Sequence, residues 1–140
     1  MLALDDKRVA IVVGDVVGQG PAAAAVMGQL RSALAAYLLE SHSPAHALAW
    51  LTRFARRVDG ALASTAVCLV LNSHTGELRW ACAGHPPPLL LDRDGVRYLE
   101  DARGIVLGIT KGPPFVEGHA TLAPGARRAA LHRRPGRTSG

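Results

Sequence analysis

The residues best suited to chemistry lie in one short stretch, Gly14-Asp15-Val16-Val17-Gly18-Gln19-Gly20. It follows directly on the apolar run at 8–13, so Asp15 is expected at the end of a buried strand. A lone carboxylate there is costly unless something pairs it. A hard divalent cation does so, and the flanking glycines let backbone carbonyls and ligand oxygens come close. The same residues also suit a plainer role, in which Asp15 caps the following helix or orders the turn. Residue types alone leave both readings open.

The elements that must position this turn are legible from periodicity. Residues 8–13 form a β-branched run that reads as a buried strand. Pro21 then stands where a first helical residue would, and 22–40 read as a long helix with Val26, Leu30, Leu34 and Leu38 on one stripe. A second helix is expected over 45–58, with Ser43 as N-cap, Pro44 at its start and Leu48, Leu51, Ala55 and Val58 inward. Its Arg53, Arg56 and Arg57 form a solvated side. Residues 64–72 are apolar on both faces, as in a central strand covered on both sides. The turn at 73–76 leads to a returning strand at 77–83, where Leu78, Trp80 and Cys82 alternate with Glu77 and Arg79. A stiff Gly84-His85-Pro86-Pro87-Pro88 loop precedes a second hairpin, 89–91 with 96–99. Residues 104–109 and 113–122 read as loop and short-strand material. Strand, two helices, then antiparallel hairpins make an α+β fold and do not suggest alternating βαβ units.

At 140 residues the chain suits one domain, and 49% hydrophobic residues exclude disorder throughout. No run approaches the ~20 apolar residues that span a bilayer. The acids at Asp5 and Asp6 stand where a signal peptide carries bases. A cytoplasmic protein with no membrane partner is the expectation. Cys68 and Cys82 are too few for a disulfide framework or a zinc site and read as reduced core residues. The net charge of +5 invites a nucleic-acid reading, but five arginines (127, 128, 133, 134 and 137) fall in the last fourteen residues. Without them 11 bases face 11 acids, so the body is neutral. Residues 126–140 are expected to be a disordered basic tail and not a nucleic-acid site. His42, His46, His74, His119 and His132 show no ligand spacing. His85, Trp50 and Trp80 read as structural residues.

The turn, its proline and the Ala-rich helix together resemble the signature of the stage II sporulation protein E-type serine phosphatases, metal-dependent enzymes of the type 2C-like class. The resemblance continues through Thr65-Ala66-Val67-Cys68-Leu69-Val70-Leu71, Thr75-Gly76-Glu77-Leu78-Arg79-Trp80, Ala83-Gly84-His85-Pro86-Pro87-Pro88-Leu89-Leu90 and Val106-Leu107-Gly108-Ile109. These segments run in order across about 8–125. The resemblance implies a sandwich of antiparallel sheets flanked by helices (αββα), present here in part over 1–125. It implies a two-metal manganese or magnesium centre in which Asp15 bridges the ions and the Val16 carbonyl is a second ligand. It also implies metal-activated water attacking a phosphoserine on a regulatory protein, often an anti-sigma-factor antagonist.

The chain departs from that pattern in three places. Gln19 stands where the family has histidine, and Gln takes no proton at neutral pH. A further acidic ligand would lie on a strand ahead of this chain, with Asp5 and Asp6 in the intervening turn. A Tyr-Thr-Asp-Gly-Leu-like metal motif is expected near 131–136, where the chain has Leu131-His132-Arg133-Arg134-Pro135-Gly136. The genetic code allows the codons CTA-CAC-CGA-CGG-CCT-G for Leu131 to Pro135 and the first base of Gly136, and these, read one base later, give Tyr-Thr-Asp-Gly-Leu. The tail is therefore expected to be a frameshifted ending, and codons incompatible with that offset would refute this. Two other functions compete: a catalytically degenerate phosphatase-like binding module, and a nucleotide-binding domain. The spacing fits neither Gly-x-Gly-x-x-Gly nor a P-loop, which weighs against the latter.

Overall fold

The computed structural model describes residues 1–109, 115–123 and 128–130. Eight strands and two helices follow in the order β1 (Leu2–Ala3), β2 (Arg8–Asp15), α1 (Gly20–Ser41), α2 (Pro44–Ala55), β3 (Thr65–Asn72), β4 (Glu77–Ala83), β5 (Leu89–Asp92), β6 (Gly95–Tyr98), β7 (Gly118–Thr121) and β8 (Arg128–Ala130). The first sheet has the order β1-β2-β3-β4-β7 and the second β6-β5-β8, with every pair of named strands antiparallel. This is the expected α+β class.

One helical layer covers one face of the five-stranded sheet. The fourfold spacing on α1 buries Val26, Leu30, Leu34 and Leu38. Leu48, Leu51 and Ala55 of α2 join them over Ala66, Cys68 and Val70 of β3. Alternation puts Val67 and Leu69 on the opposite face, where they meet Leu78, Trp80 and Cys82 of β4 and Leu90 of the second sheet. Strand β3 is thus covered on both sides, as its continuous apolar run requires. Both cysteines are free and buried. Burial pushes both thiols up, that of Cys82 to about 11, so neither is a reactive thiolate at neutral pH.

Three expectations need correction. Arg128–Ala130, read from the sequence as tail, pair with β5 through Leu89↔Ala130, Leu90↔Ala129 and Leu91↔Arg128. A three-residue edge strand carries too little periodicity to stand out from a basic segment. The rest of 126–140, including the frameshift position, lies outside the described residues. Secondly, α1 is 22 residues long with a mean hydropathy of 1.3 over 18 residues, long and apolar enough to cross a bilayer by those measures. Its alanines raise the average, while its leucine stripe packs inside the protein. Thirdly, Trp50 is only half-buried and meets Tyr37 edge-on at 5.6 Å. Trp80, by contrast, is fully buried.

Residue Glu117, just before β7, ties three elements together. Its Oε1 accepts from Ser43 Oγ (2.6 Å) and from the Ala45 amide (3.2 Å), and its Oε2 accepts from Arg79 Nε (2.9 Å) and Nη2 (2.6 Å). Ser43 Oγ in turn accepts from the His46 amide as the expected N-cap of α2. Burial pushes the Glu117 carboxyl up, but the Ser43, Arg79 and Ala45 donors outweigh it and hold it below its ordinary 4.5. A depressed folded-state value adds stability above the ordinary value and loses it as pH falls through the folded one. Glu117→Gln is expected to cost about 2 kcal/mol at pH 7, since the side chain is only 12% exposed and its loss leaves Arg79 without its carboxylate. Urea unfolding at pH 7 and pH 3 checks this: the gap between wild type and variant should shrink at the lower pH.

Candidate metal centre

Strand β2 delivers Asp15 as its last residue, directly opposite Thr65, the first residue of β3. Gly14 precedes it because the strands are close here: a Cβ at that position would stand 2.9 Å from the Thr65 carbonyl oxygen. The chain then turns through Gly18 (φ 107°) and Gly20 (φ 85°), a backbone region closed to most L-residues. Helix α1 starts at Gly20 with Pro21 in its first turn.

Asp15 is exposed, not buried. The sequence argument from a costly buried charge therefore does not apply, because the strand end projects past the core that covers Ala10. Asp15 is not the N-cap of α1 either: that residue is Gln19, which makes no side-chain cap hydrogen bond, and the first turn holds no acid. The N-terminus of α1, close behind the turn, is a region that suits an anionic group such as a phosphoryl.

The donors at the turn are the Asp15 carboxylate and the carbonyl of half-buried Val16. A hard cation of the magnesium type keeps several waters and takes one or two carboxylates, so this set fits one hydrated ion. Among the described residues no group of three or more His, Cys, Asp or Glu side chains is arranged to hold a metal. The described residues thus do not by themselves furnish the two-metal centre that the resemblance implies. Gln19 is exposed and supplies an amide where that pattern has an imidazole.

Beside Gly14, between α1 and the sheet, lies a cavity of about 180 Å³. Val12, Met27, Leu30, Leu34, Leu51 and Leu107 are among its walls, with Arg31 and Thr65 as polar members, so the lining is mainly apolar. Sequence reasoning missed the neighbour that the other side of the site holds. His85 is buried, and its Nδ1 lies 3.1 Å from Thr65 Oγ1. The only sequence signal was its place in the Ala-Gly-His-Pro loop.

Known structures share this architecture. The RsbU and RsbW domains of Rv1364c from Mycobacterium tuberculosis match at 39% identity and TM-score 0.77, over 85% of this chain and 33% of that one. The PP2C phosphatase domain of SpoIIE from Bacillus subtilis, with a fragment of its regulatory domain, matches at 18% identity and TM-score 0.75, over 89% of this chain and 37% of that one. RsbX in complex with magnesium matches at 18% identity and TM-score 0.65, over 86% of this chain and 58% of that one. The chain therefore spans between a third and three-fifths of these three chains. A model of the stage II sporulation protein E (SpoIIE) family matches residues 5–129. With that match over most of its length and a sandwich of the same architecture, the chain belongs to the SpoIIE family of PP2C-like phosphatase domains.

Proposed function

We propose that this chain is part of a cytoplasmic, metal-dependent protein serine phosphatase domain that removes phosphate from a regulatory protein of the anti-sigma-factor antagonist type. The observation that carries this reading is Asp15: an exposed carboxylate fixed at a strand end, five residues before a helix N-terminus, within a family-matching turn. Asp15 and the Val16 carbonyl would hold manganese or magnesium. Such an ion, when bound, lowers the pKa of a coordinated water and offsets charge on phosphoryl oxygens. Magnesium in RsbX and the pairing of RsbU with RsbW domains in the mycobacterial protein support the metal and the signalling setting.

The short donor set and Gln19 favour a second reading, a phosphatase-like module that docks its partner without chemistry. Both are separated by adding the chain to an anti-sigma-factor antagonist phosphorylated on serine, with 1 equivalent versus excess manganese, and following phosphate release and complex formation together. The enzyme reading expects manganese-dependent release. Complex formation with no release at any manganese level would establish the docking module instead.

A further inference from the structure

The imidazole of His85 is buried against Thr65. Its backbone is held from several sides. Gly84, which precedes it, bridges Ala66 in parallel and donates its amide to the Gly104 carbonyl at 2.7 Å. A Cβ on Gly84 would stand 3.0 Å from the Val106 Cα, so only glycine fits. Pro88 beyond it is fully buried. The loop thus presents a ring that is 9% exposed to Thr65 Oγ1 at 3.1 Å, with donor and acceptor set by the imidazole tautomer. Thr65 pairs with Asp15 in the last rung of the β2–β3 ladder. Directly opposed residues on antiparallel strands place their side chains on the same face. Asp15, Thr65 and His85 therefore stand in a row across the ends of β2, β3 and β4.

We propose that His85 is a positioning residue for the metal centre: through Thr65 it fixes the last β2–β3 pair, and so the direction of the Asp15 carboxylate and the Val16 carbonyl. This rests on the function proposed above. The last rung of a ladder is where strands open most readily, and here it leads straight into a glycine-rich turn. A side-chain bond from a rigid loop to Thr65 restrains that rung from the far side. Groups behind a metal ligand set its orientation, and their loss weakens metal binding by about 10- to 100-fold.

The test compares Thr65→Val, His85→Ala, the double variant and His85→Asn, whose amide can replace Nδ1. Manganese affinity is read from the free-ion signal in electron paramagnetic resonance, and amide hydrogen exchange is measured on the metal-free chain. Each single variant is expected to weaken manganese binding about tenfold. The double variant is expected to be no weaker than either single one, and His85→Asn to recover most of the loss. Exchange at the Asp15 and Val16 amides should rise in His85→Ala and Thr65→Val and return in His85→Asn. Multiplying effects in the double variant, unchanged affinity in the singles, or no recovery by asparagine would overturn the proposal. If the wild-type chain binds no manganese, the metal reading fails on its own, and exchange at Asp15 and Val16 still decides the positioning role: unchanged rates overturn it. If His85→Ala does not fold, Thr65→Val and His85→Asn carry the same comparison.

Discussion

Gly118→Ala is expected to lower stability by about 3 kcal/mol. Gly118 opens β7 opposite Trp80. A Cβ at that position would fall on the indole, 2.6 Å from Nε1 and closer to the ring carbons. The ring has nowhere to go. Trp80 is 1% exposed and packed among Val67, Leu69, Leu78 and Leu90. Its Nε1 has no hydrogen-bond partner among the described residues, so packing alone holds the ring in place. Moving β7 instead would pull Glu117 away from Ser43 and Arg79. Either route is costly against a total stability of about 5–15 kcal/mol. Thermal unfolding should show a fall in Tm on the order of 10 °C. Adding Trp80→Phe to the same chain should recover part of it by removing the ring that the new methyl meets. An unchanged Tm would mean that β7 does not pack on Trp80.

Asp15→Asn is expected to weaken manganese binding by about 100-fold while leaving the metal-free chain nearly as stable as before. Hard cations are held largely by ligand charge, and the substitution leaves a neutral amide in the same place. Asp15 is exposed, and asparagine keeps its shape, so the change in the metal-free chain's stability is expected to stay within about 1 kcal/mol. Binding to the folded state alone stabilises by about 2.7 kcal/mol at a hundred times the Kd. Wild-type Tm should therefore climb with added manganese and the variant's should stay flat. A parallel climb in both would place the ion elsewhere.

How much of this was legible in the sequence depends on how local each signal is. The stripe on α1 appeared in full because its four residues recur within one helix. The cap at Ser43 and the strands expected at 64–72 and 77–83, observed at Thr65–Asn72 and Glu77–Ala83, follow from neighbouring residues in the same way. The turn holding Asp15 was found by its composition. Its exposure was not, because that depends on how far the helical layer reaches along β2. Glu117 carries no local signal, since its partners Ser43 and Arg79 lie 74 and 38 residues away. The Thr65–His85 contact spans twenty residues and arises from the β3–β4 register. Long-range side-chain pairs of this kind leave no periodic trace.

The most direct test of the central claim is hydrolysis of p-nitrophenyl phosphate by wild type and Asp15→Asn across a manganese titration. Phosphatase activity that rises to saturation with manganese in the wild type, and falls to background in Asp15→Asn, is the predicted result. Activity that is absent at every manganese concentration, or equal in the two chains, would contradict a metal-dependent phosphatase centred on Asp15.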